Sequence, residues 1–238
     1  MTVHFWAVKI LSTGMGEAAS DYLVHTIDPY AAVGLGALGF VVALAWQFFL
    51  RRYIAAAYWL AVVMVAVFGT MVADAAHIEL GIPYVVSTAL GAVGLAVVFI
   101  AWYAMEGTLS IHSISTRRRE IFYWAAVLAT FAMGTAAGDM SAYTLRLGWF
   151  ASGLLFTALF AIPLLARRLI RLNEVFAFWF AYIITRPLGA SYADWLGVPQ
   201  ALGGLNFGRG KVAIALTIVI IVWVAYLSIS KVDVERTP

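Results

Sequence analysis

Four aspartates sit within or at the ends of long apolar runs, each at one fixed distance from the same two landmarks. The copies are Phe5-Trp6…Gly16…Asp21, Tyr58-Trp59…Gly69…Asp74, Tyr123-Trp124…Gly134…Asp139 and Phe178-Trp179…Gly189…Asp194. Each reads [Phe/Tyr]-Trp-x9-Gly-x4-Asp without a gap, and four of the chain's six aspartates obey the rule. An aspartate at the centre of a membrane helix costs about 2.5–3.5 kcal/mol, so four of them ask for a compensating role. Clustered hard oxygens suit Mg²⁺, Mn²⁺ or Ca²⁺, and rings of acidic side chains are a recurrent cation-selecting device.

The residue directly after each Gly lies four before the Asp, on the same helical face and one turn deeper. Glu17, Thr70, Thr135 and Ala190 occupy it, so three copies stack a second oxygen beneath the carboxylate. His25 follows Asp21 by four residues and His77 follows Asp74 by three. Either imidazole could join the acidic face and shift preference toward Mn²⁺, Co²⁺ or Zn²⁺. Both lie near the outer surface, however, where a histidine needs no ligand. The expected metal set is therefore Asp21, Asp74, Asp139, Asp194, Glu17 and His77, backed by Thr70, Thr135, Arg186 and His25. Arg186 is too deep in its segment to snorkel to water and requires a carboxylate partner. Glu17 is the only additional acid at that level. Their pairing is either a permanent structural bridge or a tethered counter-cation that a substrate ion displaces. Pro187, next to Arg186, frees a backbone carbonyl one turn earlier and favours a kink.

The elements that position these residues follow from composition. The chain has 238 residues, 64% hydrophobic and 11% charged, with a mean hydropathy of +0.94. That excludes a soluble domain, in which about 25% of residues are charged. The absence of cysteine excludes disulfides, thiolate metal sites and cysteine nucleophiles. Eight apolar segments are read at about Phe5–Val24, Ala31–Leu50, Ile54–Ala76, Tyr84–Met105, Ile121–Thr144, Trp149–Leu165, Val175–Trp195 and Val212–Ile229. Asp28-Pro29, Gly81-Ile82-Pro83, Gly148 and Gly197-Val198-Pro199 separate them. Arg51, Arg52, Arg117 to Arg119, Arg167, Arg168, Arg171, Lys231 and Arg236 fall on one side, against Arg146, Arg209 and Lys211 on the other. The basic side is cytoplasmic by the positive-inside rule, which places both termini there and runs every odd helix outward. Basic residues so distributed report topology and attraction to anionic lipid, and no nucleic acid partner is expected.

The fold class is thus an all-α integral membrane protein. About eight transmembrane helices form four tandem parallel two-helix repeats around a pseudo-symmetric core of odd-numbered helices. One membrane domain spans 1–238, with repeats at about 5–52, 53–119, 120–172 and 173–238. Each Trp is expected to be an interfacial anchor and packing group near the cytoplasmic face, about 22 Å from its Asp. The four carboxylates then share one depth, and the even helices form an outer scaffold. The connector Glu106 to Glu120 is read as an ordered loop packing Leu109, Ile111 and Ile114, with His112 solvated.

Three stretches carry a family resemblance. They are Lys9-Ile10-Leu11-Ser12-Thr13 through Gly16-Glu17 to Ser20-Asp21-Tyr22, Glu106-Gly107-Thr108-Leu109-Ser110-Ile111-His112, and Thr185-Arg186-Pro187-Leu188-Gly189-Ala190. The chain resembles a family of bacterial membrane-anchored proteins made of four tandem two-helix repeats, each with a characteristic Trp, whose activity is not established. The resemblance implies the fold and a bacterial inner-membrane location. A fainter similarity, at different spacing, links Gly16-Glu17…Asp21 to the motifs of repeat-built divalent-cation transporters.

The leading expectation is membrane transport of a divalent, Mn-like cation through the aspartate ring, with the metal as substrate and no organic cofactor. The partners are the lipid bilayer and the cation, and a homo-oligomer is compatible with the pattern. The alternative is a non-transporting inner-membrane scaffold or stress-response accessory protein with structural aspartates. Ala137-Gly138-Asp139 loosely resembles the motif of intramembrane aspartyl proteases but lacks its first Gly. Four equivalent aspartates offer no distinct dyad, so no enzyme is expected.

Overall fold

The computed structural model describes residues 2–50 and 52–232; Met1, Arg51 and 233–238, and with them the basic Arg51 and Arg236 counted above, lie outside the described residues. The described residues form eight long helices: α1 (Val3–Thr26), α2 (Pro29–Phe49), α3 (Ala55–Ile78), α4 (Tyr84–Glu106), α5 (Arg117–Asp139), α6 (Gly148–Ile170), α7 (Glu174–Gly197) and α8 (Arg209–Ser230). Local chemistry sets the ends. Asp28 caps α2 by accepting from the Ala31 amide at 2.9 Å, with Pro29 in the first turn, where its missing N–H is harmless. Thr116 accepts from the Arg119 amide and starts α5 four residues earlier than the apolar run suggests. Asn173 accepts from the Val175 and Phe176 amides at the head of α7. Gly107, at φ 69°, closes α4 in the left-handed conformation that a Cβ disfavours.

The odd helices form a closed ring, α1 on α3, α3 on α5, α5 on α7 and α7 on α1. Each even helix covers the outside, but not principally on its own repeat. Helix α2 packs mainly on α3, α4 on α5, α6 on α7, and α8 returns to α1. The packing unit is therefore offset by one helix from the sequence repeat, and the last helix closes the circle. His4 and Trp223, 3.2 Å apart through Nδ1 and Nε1, mark that closure.

Six helices, α2 to α6 and α8, are long and apolar enough to cross a membrane. Helices α1 and α7 are as long but carry Lys9, Glu17 and Asp21, and Glu174, Arg186 and Asp194, respectively. Glu174 is exposed at the head of α7, and the other charges face the ring, where the partners described below receive them. The exterior is apolar instead, with Leu35, Leu38, Val41 and Val42 of α2 and Leu90, Val93, Val97 and Ile100 of α4 exposed.

The repeat glycines are where neighbouring odd helices touch. A Cβ on Gly69 would lie 2.8 Å from Phe131 Cβ, and one on Gly134 would lie 2.7 Å from Arg186 Cβ. On Gly189 it would meet the Gly14 amide nitrogen and the Ile10 carbonyl oxygen, both at 2.8 Å, and Gly16 abuts Ala66. In each copy the Gly seats against the residue three before the next copy's Gly, or beside it, so one kind of contact recurs four times around the ring. Pro187 leaves α7 unbroken, and the Thr13 hydroxyl of α1 donates to the Thr185 carbonyl at 2.9 Å.

Gly189→Ala is expected to destabilise the protein by about 1–3 kcal/mol, because the added methyl meets backbone that cannot yield. Gly94→Ala, with open space around the new Cβ, is expected to be neutral or stabilising by about 0.5–1 kcal/mol. Thermal unfolding of the two variants in detergent checks the contrast.

Candidate functional site

Each odd helix presents one residue in four to the ring's interior. The series are Phe5, Lys9, Thr13, Glu17, Asp21; Tyr58, Val62, Ala66, Thr70, Asp74; Tyr123, Val127, Phe131, Thr135, Asp139; and Phe178, Tyr182, Arg186, Ala190, Asp194. Successive members are about 6 Å apart along a helix. Because the copies are in register, the axis is built as five stacked layers.

The lowest layer is aromatic and closed. Each copy's Phe or Tyr meets the next copy's Trp: Phe5–Trp59 at 5.5 Å between centroids, Tyr58–Trp124 at 5.9 Å, Tyr123–Trp179 at 6.2 Å and Phe178–Trp6 at 5.7 Å. Trp59, Trp124 and Trp179 are 2–4% exposed, so the rings face inward. For these three the packing role expected from sequence holds, and ring-to-ring contact leaves little of each indole for a headgroup region. The connector after α4 reinforces this end. Leu109, Ile111 and Ile114 pack on the core, and Trp179 Nε1 donates to the Leu109 carbonyl at 2.9 Å. Glu106 holds the connector through Arg118 and Arg119.

Above it lie two cations. Lys9, fully buried, places Nζ 4.2 Å from the ring centroids of both Phe131 and Tyr182. Arg186, also fully buried, sends Nη2 to Glu17 Oε2 at 2.5 Å, Thr70 Oγ1 at 2.5 Å and Thr135 Oγ1 at 2.6 Å. The oxygen-bearing side chains of three repeats thus converge on the arginine of the fourth, whose own residue at that level is Ala190.

The top layer is acidic. Carboxylate oxygens of Glu17, Asp139 and Asp194 all lie within 4.8 Å of one another, a spacing at which one metal ion could be held. Glu17 is 3% exposed, Asp139 8% and Asp194 4%. Asp21 and Asp74 share the layer but stand outside this triad. Asp21 Oδ2 pairs with Arg209 Nε of α8 at 2.7 Å, and Asp74 is half-buried. Beside the triad, α5 ends at Asp139 and continues as one π turn, Met140–Thr144, a distortion that often accompanies functional sites. There the hydroxyls of Ser141 and Ser152 lie 2.8 Å apart and tie the turn to α6.

Four segments, 4–53, 57–108, 122–171 and 177–233, match the family described as Repeat of Unknown Function (DUF347). The chain belongs to this family. No curated protein and no solved structure matches it.

Of the DUF347 residues singled out from sequence, the structure brings together Glu17, Asp139, Asp194, Arg186, Thr70 and Thr135. The histidines stand apart from the triad. His77 Nδ1 is 2.8 Å from the Ile82 carbonyl, and its ring stacks on Tyr84 at 3.7 Å. His25, exposed, turns Nδ1 to the Asp21 backbone carbonyl at 2.6 Å. Sequence reasoning missed Lys9, Tyr182 and Phe131 on the axis and Arg209 beside Asp21. The step of four below the known positions was the signal for the first three. Arg209 gave none, because its pairing depends on α8 returning to α1.

Arg186→Met leaves Glu17 buried without its cation and is expected to cost about 3–5 kcal/mol of stability. The double variant Arg186→Met/Glu17→Gln removes both charges and should recover most of that loss. Denaturation midpoints of wild type, both single variants and the double variant check the coupling.

Proposed function

We propose that this DUF347 protein is a multi-pass protein of the bacterial inner membrane, both termini cytoplasmic, that carries a divalent metal cation. The observation that carries the reading is the buried triad Glu17, Asp139 and Asp194, with oxygens close enough to share one hard cation. Charge balance supports it. Glu17, Asp21, Asp74, Asp139 and Asp194 are five carboxylates, and Lys9, Arg186 and Arg209 are the three cations among them. Two negative formal charges remain, the complement of one divalent ion.

The apolar exterior supports the membrane location, since a water-facing protein rarely exposes contiguous apolar surface on this scale. The excess of Lys and Arg in the loops next to the aromatic layer supports the orientation, which sets the acidic layer toward the outside. The same axis favours a carrier over an open channel. Two fixed cations and a closed aromatic layer lie between the acids and the cytoplasm, so an ion entering the cup moves on only if those layers rearrange. Arg186 then serves as the tethered counter-cation of Glu17, released as the metal takes its place.

A second reading is a non-transporting scaffold. What favours it is that Glu17 and Asp21 already have basic partners.

Mn²⁺ is expected to raise the unfolding midpoint of the wild-type protein. Asp139→Asn and Asp194→Asn should each weaken that effect, and Mn²⁺ uptake by expressing cells, by about tenfold or more. Asp28→Asn, an exchange between two good helix caps, should change neither. Transport preserved in Asp21→Asn, Asp74→Asn, Asp139→Asn and Asp194→Asn alike, at normal expression, eliminates the carrier reading. Stability losses with no metal dependence would establish the scaffold.

A further inference from the structure

Of the three cations counted against the axial carboxylates, two are fully buried beneath the acidic layer, Lys9 and Arg186. Arg209 stands at the rim instead. Its side chain is 28% exposed, and its Nε lies 2.7 Å from Oδ2 of Asp21, whose side chain is 14% exposed. Backbone contacts fix that position. The connector after α7 folds back over the helix end, where the amides of Leu205, Phe207 and Gly208 donate to the carbonyls of Trp195, Leu196 and Gly197 at 2.7, 3.0 and 3.2 Å. These are carbonyls that a helix end otherwise leaves free. Helix α8 then starts pressed against both neighbours. A Cβ on Gly197 would lie 3.3 Å from Arg209 Cα, and one on Gly210 would lie 2.7 Å from Tyr22 Cε2.

A partly exposed ion pair adds little to stability. What this pair does change is the charge of the cup. Asp21 lies one helical turn above Glu17, and the Arg209 charge acts on Asp194 of the triad as well as on Asp21. With Arg209 in place the axial groups sum to two negative charges. Without it they sum to three, and Asp21 is released as a further carboxylate beside the triad. The interaction of an ion with a fixed charge scales with the ion's own charge. Arg209 therefore weighs half again as heavily against a trivalent cation as against a divalent one.

We propose that Arg209 is the charge-selectivity residue of the cup. It holds Asp21 out of the metal set and keeps the net charge at two negative, so the site accepts a divalent cation and disfavours a trivalent one. This rests on the cation reading of the triad and names what sets the class of ion admitted. A pair that only braces α8 on α1 would lower the unfolding midpoint when either partner is replaced, without moving the preference between ions.

The test uses the full chain purified in detergent at fixed pH and ionic strength, titrated separately with Mn²⁺ and La³⁺. Affinities are read from the rise in unfolding midpoint. Arg209→Gln should bind Mn²⁺ about tenfold and La³⁺ about thirtyfold more tightly than wild type. Arg209→Lys, which keeps the charge, should retain the wild-type ratio. Asp21→Asn should weaken both ions, La³⁺ more than Mn²⁺, and Arg209→Gln/Asp21→Asn should return both close to wild type. A ratio unmoved in Arg209→Gln, with both ions still binding, overturns the proposal and leaves the cation reading standing. Stabilisation by neither ion in any variant overturns both. Should Arg209→Gln not fold, Asp21→Asn and the double variant decide: a double variant that binds no more tightly than Asp21→Asn overturns the proposal.

Discussion

The Nη2 atom of Arg186 reaches the carboxylate of Glu17 and the hydroxyls of Thr70 and Thr135, so a side chain of the fourth repeat is bound to each of the other three. Gly134 has to lack a side chain for that arginine to reach the axis, because any Cβ there would strike it. Glu17 in turn reaches from the arginine into the triad with Asp139 and Asp194. The acidic layer is thus held in place from below by a residue that neutralises part of it. Geometry and charge in the upper half of the ring follow from this contact.

The offset between covalent repeat and packing unit gives that contact its surroundings. Because α2 covers α3 and α8 covers α1, no repeat completes its own core. Stability is therefore expected to be shared around the circle, unlike an open solenoid, where each repeat meets only its sequence neighbours. Closure also recruits Arg209 from α8 to Asp21 on α1, near the opposite end of the sequence. One aspartate of four is thereby set apart from its equivalents by tertiary contact, beyond any difference visible in its own repeat.

Much of this was legible in residue spacing. The [Phe/Tyr]-Trp, Gly and Asp positions gave parallel odd helices in register, and Glu17 and Arg186, a deep acid and a deep base, could be paired in advance. Pattern failed where several partners compete for a side chain. A Trp near a helix end is equally suited to headgroups and to a neighbouring ring, and only the closed circle decides for the ring. His25 and His77 have the spacing to join the acidic face, but backbone carbonyls at the helix ends lie nearer. Lys9 was quoted within a motif without a role, since an ammonium two steps of four below Glu17 reads as a surface charge until both flanking rings are placed.

The single arginine at the axis also bears on why four copies share one chain. A symmetric assembly of four identical two-helix subunits would bring four guanidiniums, or none, to the same point. Four would repel at close range with too few acceptors, and none would leave the acids unanswered. Only covalently joined copies, free to diverge, can supply one Arg, one Glu, two Thr and an Ala to a common centre. Fusion here does more than tether subunits: it permits a stoichiometry that rotational symmetry forbids.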